Sequence, residues 1–543
     1  MSAPVPAKAP VIRSRISGSA EPFVYYLFIG LYLIPVFLGS HTLTNDGPAH
    51  LYNATLLKHF WDNQADFTSH YFELNTHIST NWVGHGLLAI LMYVVPDWAA
   101  EKIILCIYLI GMPLSFRYAL RQLKPENSVY SLLIFPFLYC QVFTLGFYSQ
   151  FLSFVALFAL LGKWLAVDYR FTLPNTLTLT GLVMLVAFCH MLTFLVSLLV
   201  LGSFLLDHFT RWPEGRFPRL SFSKAFWQAA GRLLFICLPA IFGFLYFITH
   251  SKGTEKIYFP QEQLAYLKGL LTLTMVLDSD GTWMTRLLFA ALLLSLTTLS
   301  MRALRHLVNQ RLYTYRVAFG IIGTGLLLLY LGMPERIAGG FIIRPRLGFL
   351  LFAFLILLLA TYTAPATKRK VWWLSILLTT GFCLHQIYYF YRIHILTDEI
   401  LTARRFIPNR SVVLPYTAIE YTTRIPETGP LSYPFIHISN DLCLGKESVC
   451  LHNYQAQYDY FPICGKHWSF GTKSILDGLH PAVKPSVTDF EYLLHGRITH
   501  VVLIGTTEDN PMLAGGRVKA ELSRHFHLAY TSPHHLVTVY ERN

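Results

Sequence analysis

The chain has 543 residues, 54% of them hydrophobic, 15% aromatic and only 13% charged, with a formal net charge of +13 and a mean hydropathy of +0.44. A composition this apolar belongs in a bilayer and excludes an ordinary soluble enzyme. The basic surplus would point to nucleic acid in a soluble protein, but here it falls in short connectors between apolar runs, which excludes that partner.

The first apolar run, at 23–39, follows Lys8, Arg13 and Arg15 and lacks a small-residue cleavage pattern, so it reads as a retained span and not a removed signal. Further spans are expected at 98–116, 128–145, 147–167, 173–189, 191–206, 226–249, 283–300, 314–331, 345–363 and 371–391, eleven in all. Every second connector is rich in Lys and Arg, from Arg117, Arg121 and Lys124 to Lys368, Arg369 and Lys370. The positive-inside rule then places the N-terminus in the cytoplasm and the C-terminal region outside. The apolar segment 82–95 is too short to cross without inverting every later connector, and is expected to be re-entrant or interfacial.

This orientation gathers on the outer face nearly all ionisable residues that have no orienting role, which is where a site is to be sought. The first outer loop, 41–80, opens on Asn45, Asp46, Gly47, Pro48, Ala49 and His50. Pro48 suits a first helical turn, so Asp46 reads either as its cap or as a reactive acid. His50 lies one helical turn on. The other loop acids and histidines, among them Asp62, His70 and His77, show no metal-ligand spacing, so no metal ligands are assigned.

Later outer segments add candidates for ligand binding. Tyr148, Ser149 and Gln150 form a polar turn suited to a hydroxyl-rich ligand or to interfacial anchoring. His190 lies between two apolar runs, where packing and binding are both open. Lys256 and Tyr258, in a 250–281 loop containing Gly253 and Pro260, read as a lid or a plain connector. Glu335, Arg336, Arg344 and Arg346 cluster in 332–346, where the orientation rule does not call for arginine; guanidinium forks suit phosphate, with Gly339 and Gly340 allowing close approach. The domain edge is set at 392/393. Residues 1–392 are the membrane module, and 393–543 alternate strands (411–414, 499–504, 527–531, 536–540) with helices (489–495, 517–526) as a small α/β domain. Five of the eight cysteines are in apolar spans; among Cys443, Cys450 and Cys464, outside, one disulfide is expected, its pairing open.

An acid just after span one, a polar turn some spans later, a late arginine loop and an outer C-terminal domain together resemble the GT-C glycosyltransferases. That group includes the protein O-mannosyltransferases, the lipid A aminoarabinose transferases and the oligosaccharyltransferase catalytic subunits. The resemblance implies a GT-C-like helical membrane bundle that moves a sugar from a polyprenyl-phosphate donor to a lipid, glycan or protein acceptor. It further implies Asp46 as general base or as ligand of a divalent cation (Mg or Mn), and Arg344 or Arg346 on the phosphate. Many relatives carry two adjacent acids in the first loop; here Asp46 stands alone. A flippase of lipid-linked sugar, which would want charges at mid-depth and repeat halves, and a polysaccharide ligase or polymerase are the competing readings.

Overall fold

The computed structural model describes residues 20–42, 44–76, 82–212, 218–250, 262–277, 282–309, 314–335, 342–364, 367–418, 434–458, 460–466, 485–511, 513 and 516–543. Among the site candidates, Lys256, Tyr258 and Arg336 lie outside them, as do His77, Gly253, Pro260, Gly339 and Gly340.

Helix α1 (Ala20–Leu33) tightens at Pro35 into a 3-10 turn, so that the first span runs Ala20–Phe37. After it come α2 (Gly47–Trp61), β1 (Phe72–Leu74), α3 (Trp82–Leu91) and α4 (Asp97–Leu123). With 10 residues, α3 is about 15 Å long, half of what a crossing needs. The expected span at 128–145 is not an α-helix. Pro125 and Pro136 hold 125–137 in a 3-10 run kinked at Asn127, ahead of a short α5 (Gln141–Thr144). Such irregular backbone survives because protein covers it: residues 129–145 are buried.

The chain continues through α6 (Tyr148–Val167), α7 (Leu173–Cys189), α8 (Met191–His208), the β2–β3 hairpin (Thr210–Arg211 with Arg219–Leu220), α9 (Lys224–His250) and α10 (Gln263–Leu271). Four more helices complete the membrane part: α11 (Trp283–Asn309), α12 (Arg316–Gly332), α13 (Ile343–Tyr362) and α14 (Lys368–Leu401). Among the described residues seven helices are long and apolar enough to cross a membrane, and α3, α7 and α12 are shorter apolar ones. This is a multi-pass membrane protein. Burial ranks the helices within it: 83% of the apolar stretch of α13 is enclosed against 17% for α9, so α13 is the core of the bundle and α9 faces lipid. Helix α14 continues through residue 392 to Leu401.

The C-terminal region forms one five-stranded sheet, ordered β5-β4-β7-β9-β8, from β4 (Val412–Thr417), β5 (Val449–Cys450), β7 (His500–Ile504), β8 (Phe526–Thr531) and β9 (Val537–Arg542). Its centre is parallel and its β9 side antiparallel. Strands β4 and β7 are buried along their whole length, as central parallel strands must be. Helices α15 (Val487–Leu494), opened by a Ser486–Asp489 capping box, and α16 (Arg517–His525) stand where sequence periodicity predicts helix. The expected disulfide is absent: Cys443, Cys450 and Cys464 are thiols, Cys443 and Cys450 buried as hydrogen-bonded neighbours and Cys464 apart from them on β6 (Ile463–Gly465).

Two connections seat this sheet domain on the segment that follows the first span. Strand β6 pairs with β1, and α2 is buried from Gly47 to Leu57 between membrane helices and domain. The buried Tyr52 hydroxyl donates to Ser448 O at 2.7 Å and accepts from Cys450 N at 3.0 Å, while Asn53 and Asn453 exchange amide bonds of 2.7 and 3.0 Å. Replacing Tyr52 by Phe strands a buried carbonyl and a buried N–H. We expect a loss of about 1–3 kcal/mol, read as a lower thermal midpoint of the purified protein. An unchanged midpoint would mean that the hydroxyl does not hold the domain.

Candidate active site

Gly146 and Gly47 let two turns press together. Gly146 has φ +77°, and a Cβ there would lie 2.5 Å from Thr44 Oγ1 and 2.9 Å from Gly47 N. A Cβ on Gly47 would meet the Tyr148 hydroxyl at 2.6 Å and Glu101 Oε1 at 2.8 Å. Across this contact Asn45 N donates to Thr144 O (3.0 Å) and Asp46 N to Leu145 O (3.1 Å). Thr44 Oγ1 accepts from Gly47 N at 3.1 Å, serving the start of α2. Asp46 stands at the cap position, but its side chain makes no capping bond. The carboxylate turns instead to the sheet domain: His437 Nε2 is 3.7 Å from Oδ1, and the Tyr454 hydroxyl hydrogen-bonds to it. It keeps 18% of its side-chain surface exposed, in otherwise buried surroundings.

Arg346, at the start of α13, reaches the same place. Its guanidinium lies 4.5 Å from the Phe147 ring centroid and 2.8 Å from His190 Nε2. It is close enough to Asp46, Glu335, Tyr454 and Tyr460 for their charges to interact. Arg344 is held differently. It is ion-paired with Glu335, donates to Met333 O at 3.3 Å and stacks 3.7 Å from the Tyr266 ring centroid. Burial raises the Glu335 carboxyl above the usual range, with Arg344 opposing the rise.

The remaining sequence candidates are engaged inside the protein. His50 Nδ1 lies 2.9 Å from both His85 Nε2 and the Gln455 amide nitrogen, in a network linking α2, α3 and the domain. The Tyr148 hydroxyl donates to Glu101, Ser149 Oγ accepts from Gly84 N at 3.0 Å, and the Gln150 amide donates to Thr193 Oγ1 at 2.7 Å. The expected hydroxyl-binding turn thus spends these polar ends on protein partners. Sequence reasoning did not find His437, Tyr454, Tyr460, Gln455, His85 or Glu101. The aromatic density of 454–461 is a signal that could have found Tyr454 and Tyr460; the others carry none that stands out in the sequence.

The fold matches known structures. The fold aligns with the crystal structure of ArnT from Cupriavidus metallidurans in the apo state at a TM-score of 0.53 and 10% identity, over 96% of this chain and 98% of that one. The chain has the GT-C fold. The crystal structure of the same ArnT bound to undecaprenyl phosphate aligns at a TM-score of 0.50, also at 10% identity and with the same coverage. No family profile and no curated protein sequence matches the chain. In this GT-C chain, no group of three or more His, Cys, Asp or Glu among the described residues is arranged for a metal ion. Among the described residues the neighbours of Asp46 include an imidazole, a phenol and a guanidinium, none of them the oxygen-rich ligand set a hard divalent cation takes.

Burial holds the His437 imidazole well below the usual histidine range, with His452 adding to the effect. It does the same to His50, where His85 and His437 add. Both rings are therefore neutral in the folded protein at pH 7. An unfolded histidine takes up its proton near pH 6.5, so the stability His437 contributes is complete above that pH and is lost as pH falls below it. Asp441 is raised by burial and by Glu101, and acts in the opposite sense. The comparison is therefore with a variant: between pH 7 and pH 5 the wild-type midpoint is expected to fall relative to His437→Asn. Parallel curves would mean that the folded ring protonates as readily as the unfolded one.

Proposed function

We propose that this protein is an integral membrane glycosyltransferase that moves a sugar from a polyprenyl-phosphate donor to an acceptor hydroxyl on a lipid, glycan or protein, at the face that carries the sheet domain. Charge alternation in the connectors supports an extracytoplasmic site and a cytoplasmic N-terminus. The fold supports the donor class, since ArnT of this fold has been crystallised with undecaprenyl phosphate.

The observation that carries the reading is that Asp46 occupies a helix cap without capping, and sits instead within the field of Arg346. Asp46 takes the proton of the acceptor hydroxyl. The hydroxyl oxygen attacks the anomeric carbon, and the bond from that carbon to the phosphate oxygen breaks, with inversion. Its electron pair leaves on the polyprenyl phosphate, whose charge Arg346 stabilises. His437 and Tyr454 orient the carboxylate. Arg344 and Glu335, with Tyr148 and Gln150, support the surrounding structure, and His190 positions Arg346. The spans are nearly free of charge at mid-depth and no repeat is evident in the sequence, which argues against a flippase.

The test is sugar transfer from polyprenyl-phosphate-linked sugars by the purified protein. Asp46→Asn is expected to insert and fold as the wild type while losing about 10²–10⁴-fold in turnover. Arg346→Gln is expected to lose turnover as well. Undiminished transfer by Asp46→Asn would end the catalytic assignment.

A further inference from the structure

A cavity of about 730 Å³ opens at the end of α2 away from Asp46, about 20 Å along the helix. It lies between the last turn of α2, the segment after α14 and the 445–447 turn. Four permanent cations line it, Arg404, Arg405, Arg410 and Lys446, against two carboxylates, Asp66 and Glu447.

The cations are not equally committed. Arg404 leans on Asp97 (3.2 Å) and Leu444 O (2.7 Å). Glu447 accepts from Arg410 Nε at 2.9 Å and from Phe67 N, which consumes its charge. Lys446 is held by two backbone carbonyls, of Arg404 and Ile407, each at 2.5 Å; these fix the ammonium without neutralising it. Arg405 is exposed and makes no ion pair among the described residues. Arg410 also holds a left-handed backbone at φ +62°, where glycine or asparagine would sit more easily. An arginine kept in a strained position at a cavity rim has a use for its side chain.

The cavity is far larger than a phosphate ion and lies within the range of small-molecule sites. Beside the cations its wall carries Asn63 and Gln64, whose amides both donate and accept, as sugar hydroxyls require. His59 Nδ1 is buried and lacks a hydrogen-bond partner among the described residues. We propose that this cavity binds an anionic saccharide, a sugar carrying a phosphate or carboxylate. Arg405, Arg410 and Lys446 take the anion, and Asn63 and Gln64 take the hydroxyls. The site stands apart from Asp46 and does not depend on the chemistry there.

Calorimetric titration of the purified full-length protein at low salt tests this with four probes: glucose 6-phosphate, glucuronate, glucose and inorganic phosphate. At least one anionic sugar is expected to bind saturably and at least about tenfold more tightly than glucose or inorganic phosphate. Arg405→Glu and Arg410→Gly should each weaken that binding about tenfold. Arg410→Gly relieves the backbone, so its thermal midpoint should not drop and a folding defect cannot account for its loss. Arg346→Gln should leave the binding unchanged. The proposal is overturned if neither anionic sugar binds, if inorganic phosphate binds as tightly as they do, or if binding follows Arg346 and not Arg405.

Discussion

Two backbone hydrogen bonds, from Asn45 and Asp46 to the carbonyls of Thr144 and Leu145, set the position of everything else at the site. They join turns about a hundred residues apart in sequence, and they need Gly47 and Gly146 because any side chain there would part the turns. A helix start needs one side-chain acceptor for its first N–H groups, and here Thr44 supplies it. The carboxylate two residues on is thereby turned away from the helix and toward the sheet domain.

That domain completes the site instead of hanging beside it. Helix α2 has one side against the membrane helices and the other against residues 437–455, so its amides, hydroxyl and imidazole all find buried partners across the seam. Buried polar groups are tolerated only when satisfied, and a network of this kind fixes the docking angle more narrowly than apolar contact alone. Ligand sites commonly form at such domain boundaries. The acid here gains His437 and Tyr454 as neighbours only because the seam is closed.

Local pattern made much of this legible. The apolar spans, the strands at 412–417 and 500–504 and the helix at 517–525 carry periodicity within a dozen residues, and an acid just past the first span stands out against apolar surroundings. What stayed hidden is long-range. His437 and Tyr454 meet Asp46 across about four hundred residues of chain. Glu101 was concealed by the hydropathy of the span that contains it. The stretch 128–145 reads as a span by hydropathy, and only the prolines at 125 and 136 hint that it is not an α-helix. Arg344 and Arg346 were indistinguishable by composition. Two residues apart on a helix they point about 200° away from each other, which is why one meets Glu335 and Tyr266 and the other meets Phe147 and His190.

The separation of acid and cation is then a property of a single turn. Leu145 holds the Asp46 backbone through its carbonyl, and two residues later the Phe147 ring carries the Arg346 guanidinium. The turn is itself anchored from below, since Gln141 bonds through its backbone to Val276 O at 2.9 Å and through its side chain to Thr274 O at 2.8 Å. The nearby α10 in turn supports Arg344 through Tyr266, whose backbone carbonyl accepts from the Tyr330 hydroxyl and whose ring stacks on the guanidinium. Reacting groups held by rigid, buried backbone keep their geometry to a fraction of an ångström, whereas groups on solvated loops do not. The irregular, proline-kinked run ahead of this turn therefore has a structural role. It delivers the turn to the point where first loop, core helix and sheet domain converge, which a straight crossing helix through 128–145 would overshoot.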